Sequence, residues 1–195
     1  MRRFLGWTAL LLMLFAILVP VAALTFSVQV QGQSMHPTLA QGDRLFVNFL
    51  GRDDIHRFDL VEASFDQTAA RAVKRVIGLP GDEISVGFEQ GDPVVRIRPA
   101  DEDTTYAVDN PAWDDQPGSL EVACCDANGV AVGEVAVVTV PAGSYWLVGD
   151  NWGGSDDSRK FGFVRKDHIH ARLNFRLLPL SDFGSVDNEV SLQEP

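Results

Sequence analysis

The 23 residues from Phe4 to Phe26 contain no Asp, Glu, Lys or Arg and are dominated by Leu, Ala, Val, Ile and Phe. A run that is apolar all round has no polar face to turn to water, so it has to be buried in protein or in lipid. As a helix it would extend about 35 Å at ~1.5 Å per residue, enough to cross a hydrocarbon core of ~30 Å. Arg2 and Arg3 precede it, and no charge comes after it until Asp43 and Arg44. The excess of positive charge at the first end places the N-terminus in the cytoplasm and the rest of the chain outside. Pro20 is tolerable within such a span. The competing reading is a cleaved secretory signal ending near Val21-Ala22-Ala23, but the run is longer than the ~7–15 apolar residues of such signals, which favours a retained anchor.

The remainder of the chain, beyond the anchor, is long enough for one domain with a sizeable core. The chain has 16 Lys and Arg against 27 Asp and Glu, a net charge of −11. Phosphate recognition needs clustered basic residues and none is present, so a nucleic-acid partner is excluded. The same balance argues against adsorption to anionic headgroups, leaving hydrophobic insertion as the route to a membrane. Cys124 and Cys125 are the only cysteines and are adjacent, which is neither a disulfide framework nor a start for a metal site. They read as two free thiols, with a vicinal disulfide as the alternative.

Past the anchor the pattern is one of short strands. Leu24–Val30, Asp43–Phe49, Leu60–Phe65 and Arg71–Gly78 are strand candidates, and the last is closed by the turn signal Leu79-Pro80-Gly81-Asp82. Residues 83–140 read as a β-rich insertion: Val94–Arg98 alternates, Asp109–Gly118 is a loop, and Asn128-Gly129 marks a hairpin. Val135–Val140 and Ser144–Val148 flank Pro141-Ala142-Gly143. Lys166–Arg172 is assigned to a short helix and Asn174–Leu178 to a last strand, and Ser181–Pro195 to a polar tail of low order. The expected fold is mostly β, with two antiparallel sheet regions behind one transmembrane helix.

Four histidines (His36, His56, His168 and His170) prompt a search for a Ser/His/Asp arrangement. Gly32-Gln33-Ser34-Met35-His36 lacks the closing glycine of a nucleophile elbow, and no strand-to-helix turn comes after it. The histidines are read as surface residues. A serine can instead be activated by a lysine, provided burial among apolar neighbours lowers the amine from its usual value of about 10.4. Lys74 lies among Val73, Val76 and Ile77, the setting that such desolvation needs.

Three segments, in order, carry a family resemblance. Gln33-Ser34-Met35-His36-Pro37-Thr38-Leu39 resembles the nucleophile box of the type I signal peptidases, which are Ser/Lys-dyad serine proteases. Lys74-Arg75-Val76-Ile77-Gly78-Leu79-Pro80-Gly81-Asp82 is similar to their lysine box. Gly149-Asp150-Asn151, Ser155-Asp156-Asp157-Ser158-Arg159 and Phe161-Gly162-Phe163-Val164 resemble the third. Val140–Tyr145 and Phe175–Leu180 fit as well. Trp152-Gly153-Gly154 and Lys160-Phe161 depart from the residues common in the family at those places.

The resemblance implies a signal-peptidase-like β-fold and a membrane-anchored endopeptidase. It would remove signal peptides from translocated preproteins, cutting after Ala-X-Ala type sites through an acyl-enzyme. Ser34 would be the nucleophile and Lys74 the general base. Ser155 would orient the Lys74 amine, Asp157 and Arg159 would pair to shape the loop, and Gly149 would leave room for the lysine. The Ser34 N–H would donate to the oxyanion, while Gly32 stands where some relatives place a second, hydroxyl donor. Val28, Val30, Met35, Leu39 and Val73 would line shallow apolar substrate pockets. Residues 1–27 would be the cytoplasmic N-terminus and anchor, 28–180 the extracytoplasmic peptidase domain, and 181–195 the tail. The implied partners are preprotein signal peptides and the lipid bilayer of the plasma membrane, with no cofactor and a monomeric chain. Ser34 lies eight residues after Phe26, at most about 28 Å of extended chain at ~3.5 Å per residue, so the site belongs near the outer membrane surface.

Processing peptidases of narrower specificity, of conjugative-transfer or mitochondrial inner-membrane type, share the dyad and are the nearest alternatives. Self-cleaving repressors use a similar pair but carry a DNA-binding domain in place of the anchor. A non-catalytic, membrane-tethered β module is the reading in which the boxes serve folding alone.

Overall fold

The computed structural model describes residues 2–65, 71–89, 92–114, 124–125, 131–132, 137–186 and 189–194. Helix α1, Arg2–Thr25, runs through Pro20 without interruption. Its stretch Gly6–Thr25 has a mean hydropathy of 2.5 and 0% of it is buried, so this helix is long and apolar enough to cross a membrane. Strand β1, Ser27–Gln29, begins almost where α1 stops, later than the strand read from Leu24. Those first apolar residues continue the helix because nothing before Thr25 breaks it sooner.

The other strands are β2 (Arg44–Phe46), β3 (Leu60–Ser64), β4 (Arg71–Gly78), β5 (Glu83–Glu89), β6 (Asp92–Arg98), β7 (Tyr106–Asp109), β8 (Cys124–Cys125), β9 (Ala131–Val132), β10 (Val138–Thr139), β11 (Ser144–Val148), β12 (Val164–Arg165), β13 (Ile169–Arg172), β14 (Phe175–Leu178), β15 (Gly184–Ser185) and β16 (Ser191–Gln193). One short helix, α2, covers Ser158–Phe161. The fold is mostly β and its described strand pairs are antiparallel. The strands sort into three larger sheets, β1-β2-β14-β15, β10-β5-β6-β7-β16 and β12-β11-β4-β3-β13, with β8-β9 as a separate pair.

Strand β4 is the pivot. Its alternating side chains reach different cores, as the period of two requires. Ile77 joins Ile84, Val95, Ile97 and Trp146 in one cluster, while Val76 joins Val61, Leu147 and Ile169 in another. A third cluster holds Val30, Met35, Leu39, Leu45, Leu60 and Leu173 behind the segment that carries Ser34. The turn after β4 forms as its sequence dictates: Gly81 has φ +91, a left-handed conformation that suits glycine, and the Asp82 carboxylate accepts from the Leu79 N–H at 2.6 Å.

Two expectations are corrected. Lys166–Arg172 is a 3-10 turn, Lys166–His168, running into strand β13, rather than one helix. Ile169 and Ala171 are buried while their neighbours are partly exposed, the alternation of a strand against β3. The residues after Ser181 are not a loose tail: β15 pairs with β14, β16 pairs with β7, and Val186 and Val190 are buried. Those two valines supply apolar anchors that the polar composition concealed. The Asn128-Gly129 hairpin signal and the cysteine side chains lie outside the described residues, although β8 and β9, which flank that segment in the sequence, do pair.

Candidate active site

Lys74 sits opposite Val61 in the β3–β4 register and is only 2% exposed. Its Nζ lies 2.9 Å from Ser155 Oγ, and Ser155 Oγ in turn donates to Asp157 Oδ2 at 2.7 Å. With its own proton committed to a carboxylate, the serine oxygen serves as acceptor toward the lysine. Burial removes water from the amine and lowers its pKa from 10.5 to about 8. Asp157 acts in the raising direction and Arg159 in the lowering one, with smaller raising contributions from Asp156 and Asp150. Desolvation therefore prevails because the nearest full charges oppose each other.

Asp157 and Arg159 form the predicted pair. Arg159 Nε and Nη2 each donate to one Asp157 oxygen at 2.8 Å, and both residues are buried. Asp157 also accepts from the Gly149 N–H at 2.9 Å, which ties the loop to the end of β11. A Cβ placed on Gly149 would collide with the Ser155 hydroxyl on one side and the Ser34 carbonyl on the other. Glycine is what allows these three segments to meet. Asn151 then fastens the segment that carries Ser34: its N–H donates to the Ser34 carbonyl at 3.0 Å and its Nδ2 to the Gln33 carbonyl at 3.0 Å. Its position in the third box marks Asn151 only as part of a motif, and spacing alone does not reveal that it clamps the backbone of Gln33 and Ser34.

Trp152, one of the departures from the family pattern, is buried with the Arg159 guanidinium 4.2 Å from its ring and Trp113 edge-on at 4.9 Å. A cation over an indole face is attractive, so this residue supports the loop that positions Ser155. Gly32 has φ +79, which explains a glycine there on backbone grounds. Among the described residues the Ser34 N–H donates to no protein acceptor. The histidines take no part: His36 and His56 are exposed, and His170 Nε2 is 3.2 Å from Ser64 Oγ.

A cleft of about 240 Å³ opens beside Ser34 and is lined by Val28, Val30, Met35 and Val73, all expected there. Leu39, also expected, is not part of the lining. It is fully buried with Leu45 and Leu60, because the turn whose Leu39 N–H bonds the Met35 carbonyl carries it inward. The cleft has further walls that the sequence reading missed: Gln29, Gln31, Ala72, Glu62 and Arg71. Polar residues on strands read as solvent-facing, and only the pairing of β3 with β4 brings Glu62 to this wall. Two strand edges border the cleft. β1 is the outer strand of its sheet, and β4 pairs with β11 only from Arg75 onward, leaving the Arg71–Lys74 edge without a strand partner among the described residues. A larger cavity of about 560 Å³, lined in part by Arg75, Asn110 and Arg176, contains none of Ser34, Lys74 or Ser155.

Residues 2–178 match the family described as signal peptidase, peptidase S26. The chain is 36% identical over 158 residues to signal peptidase I of Bacillus caldolyticus, covering 80% of each protein. It is 31% identical over 158 residues to signal peptidase IB of Staphylococcus aureus, covering 79% of this chain and 78% of the relative. A crystal structure of a signal peptidase I from Enterococcus faecalis is 24% identical, with a TM-score of 0.42, covering 61% of this chain and 96% of that one. With the family match running over nearly its whole length, the chain belongs to the signal peptidase family, peptidase S26, and is a serine peptidase that removes signal peptides.

Proposed function

We propose that this peptidase works by a Ser34/Lys74 dyad on preproteins held as an extended strand in the cleft between β1 and β4. The observation that carries the proposal is the buried Lys74 amine, bonded to Ser155 and brought to a pKa of about 8. An amine that loses its charge near neutral pH has a lone pair to offer, and Ser155, already donating to Asp157, leaves that lone pair free. Ser34 Oγ attacks the carbonyl of the residue before the cut while Lys74 Nζ takes its proton. The Ser34 N–H donates to the oxyanion, a contribution of ~3 kcal/mol in other hydrolases. The protonated lysine then gives its proton to the departing amine, leaving an ester on Ser34. Water attacks that ester with Lys74 again as base, which frees the new carboxylate and restores the serine.

The substrate's backbone adds to the open edges of β1 and β4, a mode in which alternate side chains enter pockets. Val28, Val30, Met35 and Val73 make those pockets apolar and shallow, which fits small residues such as the alanines of Ala-X-Ala sites. Residues 1–27 hold the chain in the plasma membrane with the N-terminus cytoplasmic, and 28–180 form a monomeric extracytoplasmic domain that needs no cofactor. Arg2 and Arg3 before α1 support this orientation. Ser34→Ala and Lys74→Ala, purified in detergent, are each expected to lose more than about a thousandfold in cleavage of a preprotein ending in Ala-X-Ala, with unchanged circular dichroism. Full activity in either folded variant rules out the dyad.

A further inference from the structure

The cleft beside Ser34 is apolar along one stretch and charged along another. Glu62 lies directly opposite Val73 in the β3–β4 register, so the two side chains share a face, and Arg71 lies two residues from Val73 on that face. The Glu62 side chain is 9% exposed and accepts from Arg71 Nη1 at 3.2 Å, while Arg71 itself is 55% exposed at the rim. Among the described residues Glu62 has no second hydrogen-bond donor. A carboxylate offers about four acceptor positions. The positions that Arg71 does not fill are open to a donor entering the cleft that Glu62 lines.

We propose that Glu62, held in place by Arg71, is a specificity determinant that favours a small, neutral, hydrogen-bond-donating side chain, Ser or Thr, two residues upstream of the residue whose carbonyl meets Ser34. This rests on the dyad and on the strand-like placement of the substrate. In an extended strand the next side chain on the same face is two residues away, about 6.8 Å along the chain. A step of that length along the β4 edge leads from the level of Val73 and Met35 to that of Arg71, whose guanidinium holds the Glu62 carboxylate. A hydroxyl there replaces the water that binding expels. Alanine leaves room for the water to stay. Valine, with the shape of threonine but no donor, dries the acceptor positions that Arg71 does not fill, which is the costly arrangement. A substrate cation would meet the Arg71 guanidinium and a substrate anion would meet Glu62, so the neutral donor is selected.

The experiment compares kcat/KM for three otherwise identical preproteins with Ala-X-Ala, Thr-X-Ala and Val-X-Ala sites, using the full chain in detergent. Thr is expected to exceed Val by about tenfold or more, the usual discrimination when a hydrogen bond to a buried charged group is lost. In E62V the Thr/Val ratio falls to one or below, and in E62Q, whose amide oxygen still accepts, part of the preference remains. Each ratio is taken on a single sample, so any misfolded fraction cancels. Equal cleavage of Thr and Val by the unmodified enzyme, with Ala-X-Ala cut efficiently, overturns this subsite and leaves the dyad standing. So does a Thr preference that persists in E62V. Failure of the folded enzyme to cut even Ala-X-Ala overturns both this subsite and the reading beneath it.

Discussion

The methylene stem of Lys74 belongs among Val61, Val76 and their neighbours, but its ammonium does not. Folding must either strip the charge of water or remove the proton, and a pKa of about 8 marks where the second becomes the easier course. If the neutral amine is the base, kcat/KM on an Ala-X-Ala substrate rises with pH through about 8 and levels above it. A profile that does not change across that value excludes Lys74 as the titrating base. The same shift acts on stability. Because the folded-state pKa lies below the unfolded one, the unfolded chain binds more protons between about 8 and 10.5, so stability rises with pH across that window. Lys74→Met keeps the stem and removes the charge. It should stabilise the protein by about 1–3 kcal/mol near neutral pH. Denaturant unfolding should show that advantage narrowing above pH ~8.

At the scale of elements, β4 combines two functions in eight residues. Its first half has one edge without a strand partner among the described residues, the edge proposed to take the substrate, and its second half is locked into the sheet by β11. The lock is reinforced by Arg75, which makes bidentate contacts of 2.8 and 2.7 Å with Asp150 while both side chains are buried. Without Asp150 the buried Arg75 guanidinium keeps the Phe58 carbonyl but loses this counter-charge, so Asp150→Ala should cost about 3–5 kcal/mol, read from the denaturant midpoint. Strands β3, β4, β11 and β14 were legible in the sequence to within a residue, because alternation and turn residues are local signals. The contact between Lys74 and Ser155 was foreshadowed by the boxes that hold them. The Arg75–Asp150 pair was not, since its partners are 75 positions apart. Glu62 escaped for a different reason: Arg71 is only 9 positions away, but a polar residue on a strand reads as solvent-facing. The β16 strand was hidden by a polar composition that depends on two valines.

For the whole molecule, the sheet adjoining α1 carries an apolar outer surface. Phe46, Leu180 and Phe183 are well exposed, Phe175 and Leu178 partly so, and Phe175 and Phe183 stack edge-on at 5.2 Å. The Val47 N–H bonds the Phe26 carbonyl, so this surface is fixed to the point where the anchor ends. Phenylalanines buried in lipid contribute roughly 1.5–3 kcal/mol each. A chain beginning after Thr25 should stay folded, since the span of α1 is 0% buried against the domain. It should still sediment with phospholipid vesicles, insensitively to salt because the net charge of −11 opposes ionic adsorption. The double substitution Phe46→Ser and Phe183→Ser should release it to the supernatant, and retention of that variant on vesicles would contradict an apolar contact.

A single residue, Phe26, separates α1 from β1. With so short a leash the cleft cannot wander into bulk water to meet its substrates, and they must drift to it within the same sheet of lipid. Turnover should then depend on how many precursor chains occupy each unit of membrane area, and adding empty lipid should slow the reaction even when the overall molarity of enzyme and substrate is unchanged.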